Sequence, residues 1–192
     1  MENLEEHIKK YWFPDHVADY QDHSDLKVLD WEKPGTGMYY CRYVFDGNKM
    51  YVSGDIGEAV FWFTEKADLF NQCKYNLEYF EEKLRAYNGE RRNFEADVAI
   101  KRMREWLNDL KVDEIEYDHD EMRILFEETR NCDSKREWEE IIHSHHDFIQ
   151  NLEYDYWEWM YEAGDEVPMR IKGYLVGLKM AAEQLKSKAS IA

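Results

Sequence analysis

Three groups of residues in this chain have types and spacings that could do chemistry: a histidine cluster, a glycine-spaced set of acids, and a high density of carboxylates. His143-Ser144-His145-His146-Asp147, with His119 between two aspartates upstream, offers the imidazole and carboxylate groups that zinc or iron would take. On a helix, however, His143 and His145 are two residues apart and face different directions, and neither HExxH nor an i,i+4 histidine pair is present. His145 lies on an apolar stripe between Ile142 and Ile149, so the spacing predicts a hydrogen-bonded core histidine and no metal site. Asp46, Asp55 and Glu58 stand among Gly47, Gly54 and Gly57, but GDIGE is followed by no Gly-Lys-Ser/Thr and fails the calcium-loop spacing. Turn geometry accounts for those glycines. No cofactor is implied, no Ser-His-Asp or Cys-His arrangement is identified by spacing, and among so many carboxylates no hydrolytic pair stands out.

The carboxylates themselves carry the functional reading. The chain has 42 Asp+Glu against 25 Lys+Arg, a formal net charge of -17, which argues against direct binding to nucleic acid or an anionic membrane. Residues 113 to 166 alone hold 19 acidic and 4 basic groups. Within them VDEIEYDHDE places Asp113, Glu114, Glu116, Asp118, Asp120 and Glu121, and NLEYDYWEW places Glu153, Asp155 and Glu158 among aromatics. Like charges three or four apart on a helix work against the fold. That cost is understandable if the face meets a basic partner, so these nine residues are the expected partner contacts. The plain alternative is a solvated face that keeps the protein soluble. Tyr117, Tyr154, Tyr156, Trp157, Trp159 and Tyr161 read either as core or as binding anchors. The basic residues around Arg85 to Arg104 and from Arg170 to Lys188 suit pairing with the chain's own acids or a homodimer contact.

The elements that must position these groups follow from periodicity. A short helix is expected over Leu4 to Trp12, stopped by Pro14. Two β-rich runs around Asp46-Gly47-Asn48 predict a hairpin, and the unbroken apolar Ala59 to Phe63 predicts a strand buried on both faces. From Thr64 the period shifts to about 3.6, predicting one long helix to Tyr87 that stops at Asn88-Gly89. Further helices are expected after Asn93, from Asp118, from Ser134 through Leu152, over Glu153 to Tyr161, and after Pro168. The fold class is α+β: a small antiparallel sheet, roughly residues 26–63, packed with about five to six helices in a single domain, 1–66 holding the sheet and 67–192 the helical part.

Cys41, Cys73 and Cys132 are odd in number and widely spaced, with neither a disulfide framework nor a metal knuckle among them. With an acidic start and no apolar run long enough to span a bilayer, the expected compartment is the cytoplasm.

The run from Tyr11 to Thr64, YWFPDHVADYQDHSDLKVLDWEKPGTGMYYCRYVFDGNKMYVSGDIGEAVFWFT, together with the Glu158–Gly164 and Pro168–Lys179 regions, resembles a family of small acidic proteins carried by prophages and mobile elements of Gram-positive gut bacteria. That resemblance brings no catalytic residues. It implies an anti-defence role, including that of anti-CRISPR proteins, which occupy the basic nucleic-acid channel of an RNA-guided nuclease. The expectation is therefore a non-enzymatic inhibitor acting through residues 113–166. A small metal-assisted hydrolase or nuclease acting on a defence component, and an accessory phage protein with a merely solubilising face, are the alternatives.

Overall fold

Alternating apolar and polar residues dominate the first part of the chain and helical stripes the second, and both periods are realised. A computed structural model describes residues 4–190. Along the chain run α1 (Leu4–Tyr11), β1 (Val17–His23), β2 (Leu26–Glu32), β3 (Cys41–Asp46), β4 (Lys49–Gly54), β5 (Ala59–Trp62), α2 (Leu69–Gln72), α3 (Leu77–Glu82) and β6 (Leu84–Tyr87). Next come β7 (Asn93–Phe94), α4 (Ala96–Val112), α5 (His119–Arg130), α6 (Lys135–Ser144), α7 (His146–Leu152), two 3-10 turns (Tyr156–Glu158, Met160–Glu162), β8 (Asp165–Glu166) and α8 (Met169–Ala189). The chain divides into two compact units, Met1–Arg91 with Pro168–Ala192, and Arg92–Val167.

The first unit is built on a six-stranded antiparallel sheet in the order β1-β2-β3-β4-β5-β6. Asp46 pairs with Lys49, so Gly47-Asn48 is the two-residue hairpin loop, with Gly47 at φ 57° as such a loop requires. One face of the sheet buries Leu29, Trp31, Cys41, Tyr43, Phe45, Met50, Val52 and Phe61. Helix α8 is buried at every residue from Ile171 to Leu178. Its glycines permit the close approach: a Cβ on Gly177 would meet the Tyr43 hydroxyl at 2.6 Å, and one on Gly173 a Trp12 ring carbon at 2.7 Å. The Tyr43 hydroxyl donates to the Tyr174 carbonyl at 3.0 Å.

Three sequence expectations change here. The sheet starts earlier than residue 26, because the polar VADYQDH forms edge strand β1, paired with β2 from Val17↔Glu32 to His23↔Leu26. The long helix expected from Thr64 to Tyr87 is broken. Asp68 caps α2 through the Phe70 amide (2.9 Å), Asn76 caps α3 through the Tyr79 amide (2.8 Å), and Leu84–Tyr87 leaves helical geometry to pair with β5 as the sixth strand. Local side-chain capping restarts the helix twice, and the backbone bonds of an open sheet edge take the rest. Strand β5 is buried on one face, not two, since Val60 is half-buried and Trp62 exposed.

The second unit packs α4 to α7 and the two 3-10 turns around Ala99, Met103, Leu125, Trp138, Ile142, Ile149 and Met160. Trp138 is fully buried, and its indole N–H donates to the Met160 carbonyl at 2.9 Å. Asp118 and Ser134 cap α5 and α6 at the expected positions, whereas the stripe expected to run unbroken to Leu152 is interrupted at His145. The aromatic segment after Glu153 forms 3-10 turns. Strands β7 and β8 pair at Asn93↔Glu166 and Phe94↔Asp165. Among the described residues no helix is long and apolar enough to cross a membrane. Gly177→Ala should destabilise the protein by about 1–3 kcal/mol, through overpacking against Tyr43 and Trp31, as read from urea unfolding.

Candidate functional site

The second unit holds 23 acidic and 9 basic groups, so it carries -14 of the total -17. Helix α4 organises part of that charge. It buries Ala99, Ile100, Met103, Trp106 and Leu110, which leaves Glu105 and Asp109 exposed one turn apart, with Asp113 one turn further at the C-cap. Asp109 and Asp113 stand at the carbonyl end of the helix, where the macrodipole disfavours negative charge.

Helix α4 ends in a Schellman turn. The Glu114 amide donates to the Lys111 carbonyl at 3.3 Å and the Ile115 amide to the Leu110 carbonyl at 2.9 Å, with Glu114 left-handed at φ 55°. That position ordinarily takes glycine. Leu110 and Ile115, the two positions such a turn brings together, both line an open groove of about 460 Å³. Trp106, Leu152 and Trp159 complete its apolar floor, and Glu105, Asp109, Asp113, Glu153 and Arg102 its polar walls. The Trp159 indole N–H donates to Glu153 Oε1 at 3.2 Å, and the two indoles lie 6.0 Å apart at a 57° tilt. Arg102 reaches the Glu162 carbonyl at 3.5 Å.

The structure thus brings Asp113 and Glu153 together from separate acidic stretches. The other expected contacts are distributed differently. Asp118 serves as the α5 cap, its carboxylate accepting from the Asp120 and Glu121 amides at 2.8 and 3.1 Å. Asp120 lies 3.7 Å from Arg123. Glu121 lies 3.8 Å from His145 Nδ1, whose Nε2 is 2.9 Å from Glu128, so His145 is a hydrogen-bonded, largely buried histidine between two carboxylates. Glu114 occupies the left-handed turn position, and Glu116 is exposed. Asp155 and Glu158 are exposed around the first 3-10 turn, beside Tyr154 and Trp157, which are 74% and 57% exposed. Tyr156 is buried, while Tyr117, Trp159 and Tyr161 are half-buried. Among the described residues no group of three or more His, Cys, Asp or Glu side chains is placed to hold a metal ion.

Glu105 and Asp109 escaped the sequence reading. They belong to a stretch whose charges cancel on average, and only their i, i+4, i+8 register with Asp113 reveals them. Compared with family models, curated proteins and solved structures, the chain matches none. Glu114→Gly should raise stability by about 1 kcal/mol, because glycine takes the left-handed turn without a Cβ penalty; urea unfolding of the variant checks this.

Proposed function

We propose that this chain is a non-enzymatic inhibitor whose acidic unit docks into a basic nucleic-acid channel on a partner protein, displacing or excluding the nucleic acid. The partner class we assign is a bacterial defence nuclease, in the first instance an RNA-guided CRISPR effector, following the resemblance carried by Tyr11 to Thr64. The observation that supports docking is the gathering of Glu105, Asp109, Asp113 and Glu153 around the Trp106–Trp159 floor. Among the described residues no cation is paired with the first three of these carboxylates.

Surface stability does not favour Asp109 and Asp113 at these positions. Acids at the carbonyl end of α4 and like charges at i,i+4 each cost a few tenths of a kcal/mol, at about 0.3–1 and 0.2–0.5 respectively. Exposed Trp157 and Tyr154 next to Asp155 and Glu158 add apolar area of the kind that anchors an interface. A channel lined by lysine and arginine would relieve the repulsion and cover the aromatics together.

The test is inhibition of DNA binding by a purified RNA-guided nuclease. Neutralising Asp113, Glu116, Glu153 and Glu158 to their amides should weaken inhibition about tenfold or more at about 0.1 M salt, with the melting temperature unchanged or higher. Inhibition by the parent chain should fall steeply with added salt. Undiminished inhibition by the amide variant would refute docking through this face, and metal-dependent degradation of a component would replace blocking with catalysis.

A further inference from the structure

We infer that the groove beside α4 is a peptide site that reads arginines in an extended segment of alternating Arg-x-Arg pattern. This deepens the docking reading above and rests on it for the identity of the partner.

Three features of the groove select this ligand. The first is spacing. Glu105, Asp109 and Asp113 recur every four residues along α4, which sets their carboxylates about 6 Å apart at a rise of about 1.5 Å per residue. An extended peptide places the side chains of one face about 6.6 Å apart. Every second residue of such a segment therefore meets successive carboxylates over the roughly 12 Å of wall from Glu105 to Asp113.

The second feature is the combination of acid and aromatic. Four carboxylates line the groove with one guanidinium, that of Arg102, and of the two indoles in its floor Trp159 is half-buried and accessible while Trp106 is buried. A planar guanidinium can stack on an indole and fork to a carboxylate at the same time, whereas an ammonium acts as a hydrated point charge. Phosphate-bearing ligands meet the wrong sign of charge here.

The third feature is a donor without an acceptor. Trp106 is 6% exposed, and its Nε1 makes no hydrogen bond although buried indole N–H groups ordinarily find one. The neighbouring Trp159 N–H, by contrast, is satisfied by Glu153. That nitrogen is closed to solvent, so a ligand reaches it only as the surrounding side chains shift; a peptide then supplies main-chain carbonyls as acceptors, which a polyamine lacks. Charge, ring faces and an unmatched donor together describe an arginine-bearing main chain.

The experiment titrates the full chain into a labelled nine-residue peptide with arginine at alternate positions, reading fluorescence anisotropy at about 0.1 M salt, against its all-lysine counterpart and with spermidine as competitor. The arginine peptide should bind at least about tenfold tighter than the lysine one. Glu105→Gln with Asp109→Asn, both on the exposed face of α4, should weaken it about tenfold without lowering the melting temperature. Trp106→Phe, which keeps an aromatic floor and deletes the donor, should weaken both peptides about three- to tenfold. Equal affinity for the two peptides with equal competition by spermidine, or unchanged affinity in the Glu105/Asp109 variant, would overturn the inference. Absence of peptide binding with nuclease inhibition intact removes the arginine site alone. Peptide binding that survives while inhibition is absent removes the nuclease reading alone.

Discussion

Concentrating 23 carboxylates in a stretch of chain with 9 cations sets a constraint that everything else in the second unit must satisfy. The repulsion is spread over an exposed shell, and no cooperative packing resides there. What holds the shell together is a closed apolar interior centred on Trp138, whose ring is fully buried and whose only polar atom is matched by the Met160 carbonyl. Around it Met103, Leu125, Ile142 and Ile149 leave helices α4, α5, α6 and α7 with one committed face each. The opposite faces are then free to carry charge chosen for reasons other than folding.

Side chains that bond to the backbone decide where those helices begin, and the sequence shows them directly. Asp118 and Ser134 mark helix starts by type and by the acid that follows, and Asp46-Gly47-Asn48 marks the hairpin by the one backbone shape it supports. The same physics explains the misreading of 64–87. The apolar spacing there is helical, but Asp68 and Asn76 offer competing caps, and Leu84–Tyr87 gains more from the ladder of β5 than from another helical turn. Strand β1 was hidden for a different reason: an edge strand with a solvated face has little hydrophobic pattern to show.

The candidate site was legible only in part. Asp113 and Glu153 were visible as members of acidic runs, yet their meeting is a product of tertiary packing between α4 and the turn after α7. Glu105 and Asp109 lie outside those runs and matter through register on one helix. Counting charge by segment averages them away with Lys101, Arg102 and Arg104 of the same helix. Asp118 shows the converse, since an acid in the densest run is engaged by the fold as the cap of α5.

The second unit is also an uninterrupted stretch of chain, lying between β6 and α8, while all six strands of the sheet and the helix with its buried Ile171–Leu178 segment come from the residues on either side. Its two ends are held side by side by the β7–β8 pair, so the chain leaves it within about 4.5–5.5 Å of where it came in. Such a segment behaves as a cassette. None of the strand registers of the six-stranded sheet involves a residue of this segment. The charge-rich part of the chain and the part that builds the sheet are therefore separate in sequence, one inserted within the other.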